Sequence, residues 1–394
     1  MNKGLNILKI LLLGCGLCLV LGSAWAGPIK LGLLAPITGP NPDWGKKQVI
    51  AVNMAVARVN ARGGVGGRML EPVIYDTGGD PEQAISLYQR LSREDGALAV
   101  IGPFFSSVCE QVFPRSTEEE VVVISPASSK PGLCDLRTQP YAFRANVPSS
   151  VKERYLLKRW QREKDIHSVV VVSDQKEAVT QALADIVWPE LFQEVKIRIL
   201  NNDSSLDFQT GCTDFGAIVS RIQALQPDGI CISALPRETG RLLKAIREQG
   251  LIQPVMAGSP CVGTAVIDIA GQAAEGFWTS SLFYVDDPRS SVKEFVRPFM
   301  DACQNRYPDI NCQPEQHSVS TFDLVCCLAD IMKRTGVNRD LEDVQLSRDR
   351  IREGLATMSR WRGTAGMMAF NDQGDGIRTV FILEVRNGQW QHIL

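Results

Sequence analysis

At 394 residues the chain has room for two domains of ordinary size, and its 44% apolar and 22% charged residues are the balance of a folded globular protein. A formal net charge of −2 supplies no basic field, so no nucleic-acid partner is expected. Three histidines, none clustered with cysteine at zinc spacing, predict no metal site, and no cofactor motif is present.

The chain opens on a segment unlike the rest. Lys3 and Lys9 form a short basic region before an uncharged apolar run over residues 10–21, and Ser23-Ala24-Trp25-Ala26 gives the A-x-A pattern of a signal-peptidase site before Gly27. Residues 1–26 are therefore expected to be a signal peptide cleaved after Ala26, too short and wrongly flanked for a membrane span. The alternative is a lipobox, Leu12-Leu13-Gly14-Cys15, leaving a lipid on Cys15. The apolar run that continues past Cys15 favours cleavage after Ala26. Removing the signal leaves 40 basic and 44 acidic residues and nine of the eleven cysteines. In an oxidising compartment an odd number leaves at least one thiol free. Cys303 with Cys312 is the expected local pair, and Cys109 with Cys134 a second. Cys231, Cys326 and Cys327 sit in apolar surroundings and read as buried thiols.

The mature chain alternates short apolar strands with amphipathic helices. Strands are expected over 29–34, 73–75, 97–101 and 121–124, with helices over 46–60, 81–91 and 108–119 between them. This β-α-β-α-β order implies a parallel sheet covered on both faces. After Arg144 the pattern restarts: helices over 155–163, 178–192, 215–225 and 239–249, strands over 168–172, 195–200, 229–233 and 254–257. Two runs of one alternation imply two α/β lobes. Helices over 292–306 and 318–335 follow, then strands over 367–370, 379–385 and 389–393, the last two flanking the hairpin signal Arg386-Asn387-Gly388.

Open parallel sheets bind ligands beyond the carboxyl ends of their strands. In the first lobe those loops contain Trp44, then Gly102-Pro103-Phe104-Phe105-Ser106-Ser107, then Pro126-Ala127-Ser128-Ser129. Serine caps helices well, which explains one such loop taken alone. Two hydroxyl-rich loops at one sheet edge, beside an aromatic ring, read better as a carboxylate cradle. Gly63-Gly64-Val65-Gly66-Gly67 follows a helix and lacks the phosphate-loop lysine, so it is a helix stop. Asp372-Gln373-Gly374-Asp375-Gly376 lacks the closing glutamate of a calcium loop and reads as a turn. With no G-x-S-x-G and no nucleophile beside a base, no enzyme is expected.

At this point the chain resembles a family. The pieces "IKLGLLAPITGP", "ARVNARGGVGGRMLEPVIYDTGGDPEQA", "AVIGPFFSS", "VVVISPASS", "YAFRANVPS" and the ending "GTAGMMAFNDQGD…VFILEVRNGQW" are similar, in order and spacing, to type I periplasmic solute-binding proteins of the branched-chain amino-acid (leucine/isoleucine/valine) class. The resemblance implies two Rossmann-like lobes with parallel sheets joined by three crossovers, near Asn146, Ser281 and Thr364. Lobe 1 would be 27–146 plus 281–364, and lobe 2 would be 147–280 plus 365–394. It also implies that Ser106, with Ser107 beside it, and the Ala127-Ser128-Ser129 loop bind a ligand carboxylate, with Trp44 packing on the ligand. The second lobe departs from the pattern. The family's aromatic falls at about Ala178 or Val179, and its acid, which holds the ligand ammonium, falls at Ser259 or Pro260. Asp174 and Glu238 are the nearby acids that would substitute. An unpaired buried ammonium is costly, so an aromatic or other organic acid fits as well as an amino acid. The expectation is thus an exported, periplasmic, monomeric binding protein that delivers a small ligand to the membrane permease and ATPase of an ABC importer. The alternative is an amide sensor of the same fold that passes closure to a signalling partner.

Overall fold

Strands rich in valine and isoleucine, apolar on both sides, belong inside a sheet covered by helices. In the computed structural model, which describes residues 27–201, 203–337 and 343–393, the first such strands form one five-stranded parallel sheet. The signal segment and Cys15 lie outside the described residues. The strands are β1 (Ile29–Ala35), β2 (Leu70–Asp76), β3 (Ala99–Ile101), β4 (Val122–Ser125) and β5 (Ala142–Arg144), in the order β2-β1-β3-β4-β5. Leu31, Gly32 and Leu33 of β1 lie opposite Ala99, Val100 and Ile101 of β3. Between β1 and β3 the order reverses direction, which is where neighbouring loops part and open a crevice.

The second sheet contains β6 (Ser168–Asp174), β7 (Arg198–Ile199), β8 (Asp207–Phe208), β9 (Gly229–Ser233), β10 (Val255–Ala257) and β11 (Trp278–Ser281). Three strands, β12 (Trp361–Gly363), β13 (Gly366–Phe370) and β14 (Gly376–Arg378), form a small antiparallel sheet. The last two, β15 (Phe381–Arg386) and β16 (Gln389–His392), rejoin the second sheet as a hairpin, with β15 antiparallel to β11, giving the order β16-β15-β11-β10-β9-β6-β7 with β8 against β6. Asn387 and Gly388 both take positive φ, 53° and 71°, which is the requirement of the tight hairpin between β15 and β16.

Helices Ser290–Arg306, Gln316–Thr335 and Val344–Ala356 return to the first sheet: Phe295, Phe299, Val319, Leu328 and Ile351 share one apolar cluster with Leu31, Val52 and Ile124. Helix Val344–Ala356 has no counterpart in the periodicity reading; Asp343 starts it by accepting from the Leu346 amide at 2.8 Å. The expected helix over 108–119 reaches Glu119 but is interrupted: Ser106–Val112 gives way to a 3-10 turn, Phe113–Arg115, at Pro114, before a last helical turn, Ser116–Glu119; the expected strand over 195–200 pairs only at Arg198–Ile199. The third crossover was expected near Thr364. Residues 365–378 stay with the first lobe instead: Ala365, Met368 and Phe370 pack in its cluster, and Arg378 donates to Asp323 at 3.2 Å. That ion pair is almost wholly buried and binds β14 to helix Gln316–Thr335.

Cys303 and Cys312 form a disulfide, with Cα atoms 5.6 Å apart. Cys109 and Cys134 do not pair. Each is a free thiol buried in the apolar cluster on the other face of the first sheet, and burial pushes the Cys109 thiol up to about 12. No helix among the described residues is long and apolar enough to cross a membrane.

Candidate functional site

The carboxyl edge of the first sheet carries three loops that lean on one another. Gly102 has φ +114°, and a Cβ there would lie 2.3 Å from the Leu34 carbonyl oxygen, so only glycine lets the β3 loop pass over the end of β1. Ser125, the last residue of β4, donates its hydroxyl to the Pro103 carbonyl at 2.7 Å and accepts from the Ser128 amide at 3.0 Å. The Ser106 and Ser128 hydroxyls are 2.9 Å apart. From below, Asn146 donates its amide to the Ala127 carbonyl and accepts from Lys152 Nζ at 2.9 Å. The serine loops are therefore braced before any ligand arrives.

An aromatic wall stands beside them. Trp44 belongs to the first turn of helix Pro42–Ala61 rather than to a loop, because Pro42 at the first helical position starts the helix four residues earlier than the apolar spacing does. Its ring stacks on Phe104, centroids 4.9 Å apart at 16°, and His317 meets Phe104 edge-on at 4.8 Å. His317 is the second residue of helix Gln316–Thr335. Burial, then Lys152 and Lys47, hold its imidazole neutral, with its pKa lowered to about 3.

The facing wall comes from the second sheet. After β6 stand Glu177 and Val179, after β9 Leu235, and after β10 Ser259 and Pro260, all lining one cavity with the serine loops and the aromatic wall. Glu177 reaches across: its carboxylate accepts from the Ser107 hydroxyl at 2.7 Å and the Ser107 amide at 3.3 Å. Desolvation raises its pKa despite these bonds. Ser259 donates its amide to Glu153 Oε1 at 2.9 Å, and Ser280 donates to the other oxygen at 2.7 Å. Burial raises the Glu153 carboxyl and lowers the adjoining Lys152 ammonium to about 8. The Glu177–Ser107 contact closes the lobes at this point and leaves about 30 Å³ within this lining, while a wider gap of about 220 Å³, lined by Trp44, Lys47, Arg237 and Glu315, remains beside it.

Of the residues singled out in the sequence, Trp44, Ser106, Ala127, Ser128, Ser129 and Ser259 line this cavity together, and Ser107 spends its hydroxyl on Glu177. Asp174 does not line it. Its carboxylate is turned into its own lobe, accepting from the Lys176 amide at 3.0 Å and the Thr210 hydroxyl at 2.6 Å. Glu238 likewise accepts from the Gly211 amide at 3.1 Å, away from the cleft. The tight turn that Asp174 makes with Lys176 swings the next acid, Glu177, across instead. Glu177 stands one residue before the position inspected for a missing aromatic. Phe104 and Phe105 belong to the same loop as Ser106, whereas only its place at a helix start marks His317. Among the described residues no cluster of histidine, cysteine or acids could hold a metal ion.

Residues 28–389 match the family model described as periplasmic binding protein. The chain is 26% identical over 377 residues to the Leu/Ile/Val-binding protein homolog 1 of Brucella melitensis, covering 93% of each. It is 25% identical over 272 residues to the leucine-, isoleucine-, valine-, threonine-, and alanine-binding protein of Pseudomonas aeruginosa, over 68% of this chain and 70% of that one. In fold it is similar to the branched-chain amino acid transporter substrate binding protein LivJ of Streptococcus pneumoniae in complex with isoleucine, with a TM-score of 0.78 and 22% identity over 92% of this chain and 98% of that one. An ABC transporter solute binding protein of R. palustris in complex with benzoate gives a TM-score of 0.77 and 18% identity over 93% of this chain and 96% of that one.

Proposed function

The chain belongs to the periplasmic binding protein family, and from that premise we propose that it captures a small carboxylate-bearing solute between its lobes for an ABC importer. The observation that carries the reading is the convergence of Ser106, Ala127, Ser128 and Ser129 beside the Trp44–Phe104 stack, opposite a wall from the other sheet. Hydroxyl and amide donors at the end of parallel strands stabilise an anion, and a stacked aromatic pair accepts an apolar body. Isoleucine and benzoate, the ligands named with two solved structures of this fold, share a carboxylate on an apolar frame. The solute is an amino acid or an organic acid of that kind.

Closure is the working step: the solute binds the first lobe, and contacts from Glu177, Leu235 and Ser259 stabilise the closed form. The protein acts as an exported monomer, freed of residues 1–26 by cleavage after Ala26, and presents its closed form to a membrane permease with its ATPase. Residues 27–146 and 281–378 make up the lobe that anchors the solute. A thermal-shift and calorimetric screen over amino acids, aromatic acids and their amides tests the reading. Carboxylates are expected to stabilise the protein, and stabilisation by carboxylate-free compounds alone would overturn the cradle.

A further inference from the structure

Two buried polar side chains in the cleft have no hydrogen-bond partner, and they come from opposite walls. His317 is 6% exposed, and neither Nδ1 nor Nε2 is bonded. Ser259 is 1% exposed; its amide is fixed on Glu153, and its hydroxyl, beside the same carboxylate, makes no hydrogen bond of good geometry. Both line the cavity that holds Ser106, Ala127 and Ser129. They are also neighbours: Gln316, next to His317, donates its side-chain amide to the Ser259 carbonyl at 3.4 Å. Buried polar groups are almost always paired, and leaving one unpaired forfeits its hydration without return. Closing the lobes on two unpaired groups from two different elements is the arrangement expected where a ligand supplies the partners.

Resting on the carboxylate reading above, we propose that His317 and Ser259 form a second polar subsite, distinct from the serine cradle, that binds a neutral hydroxyl or carboxamide on the ligand. The chemistry of the two groups selects that class. A neutral imidazole offers one N–H donor and one lone pair, and a serine hydroxyl also donates and accepts. An ammonium only donates and a carboxylate only accepts, so either leaves part of the pair unsatisfied. A hydroxyl or carboxamide does both. Charge argues the same way: Lys152 and Lys47 act on His317 and oppose a cation, whereas Glu153 behind Ser259 opposes a second anion. Trp44 and Phe104 flank His317, at 5.6 and 4.8 Å, so the part of the ligand between its two polar ends is apolar or aromatic.

Matched ligand pairs on the full mature protein test this by calorimetry: benzoate against 4-hydroxybenzoate, valine against threonine, and leucine against its near-isostere asparagine. In at least one pair the hydroxyl or amide member is expected to bind on the order of tenfold tighter or more, as sites built to pair a polar group reject analogues that lack it. His317→Phe and Ser259→Ala, which alter separate elements, should each erode that preference while the weaker member's affinity moves less. Toluene against 4-methylphenol reads the subsite without the cradle. If no carboxylate binds but this pair still discriminates, the cradle fails and the subsite stands. Equal binding within every pair, or a preference that survives both variants, would overturn the proposal.

Discussion

Ser107→Ala should open the lobes. The hydroxyl removed donates to Glu177 at 2.7 Å, and Glu177 is only 9% exposed in the closed form. A hydrogen bond to an ionised group contributes about 1.5–3 kcal/mol when its charged partner would otherwise stay buried. In the open form both groups return to water, so nothing is lost there, and the whole effect falls on the open–closed balance. The Ser107 amide still donates at 3.3 Å, which places the loss near the lower end, about 1.5 kcal/mol or roughly tenfold toward open. Small-angle scattering, or energy transfer between one dye on each lobe, reads that balance without ligand. The acid also predicts a pH trend. Burial raises the Glu177 carboxyl above its ordinary 4.5 on closing. The closed form therefore holds the proton more tightly, and this group favours closure below pH 4.5 and stops doing so as pH rises through the raised value. Without the Ser107 hydroxyl that trend should steepen. An inter-lobe distance distribution identical to that of the unaltered protein would refute the latch.

His317 acts in a different window and with opposite sign. Its pKa falls from 6.5 to about 3 in the closed cleft, so closure excludes its proton, and apparent ligand affinity should weaken toward tenfold per pH unit below 6.5; calorimetry between pH 8 and 5 checks this, and His317→Phe should flatten it. Asp323→Ala removes the partner of a buried arginine and the acceptor of the Thr364 amide at 2.8 Å, and should cost about 3–5 kcal/mol in urea unfolding. Replacing Cys303 and Cys312 together by alanine opens a loop of sequence separation 9 and should cost about 2–3 kcal/mol by the same measurement.

The sheets were legible because their strands are apolar on both sides, and the serine loops because a parallel sheet exposes its binding edge at known chain positions. Ser106 and Ser129 come together for that reason, although 22 residues and a strand separate them. What escaped depended on single bond rotations or on distant partners. Asp174 and Glu177 are three residues apart, and periodicity does not say which acid a turn will send across a cleft. Trp44 moved from loop to helix because one proline outweighed four residues without apolar spacing. Cys109 and Cys134 are compatible with a bridge on sequence spacing alone, yet both stay free thiols within one apolar cluster of the first lobe. His317 reaches the cleft from 188 residues beyond Ser129, the end of the nearer loop, a relation carried by the return of the chain to the first lobe and by no local pattern.

The two walls of the cleft differ in how their residues are supported. On the first, the serine loops are tied to each other through Ser125, Ser128 and Asn146, so a change in one disturbs the others. On the second, Glu177, Leu235 and Ser259 each follow a different strand, β6, β9 and β10. Among these, Glu177 also latches Ser107 of the first wall, so exchanging it would shift closure as well as specificity. Retargeting the protein to a new solute is therefore best begun at Val179 and Ser259, with the latch and the serine loops left whole, and a small library at those two positions is the economical place to search for altered biosensor specificity.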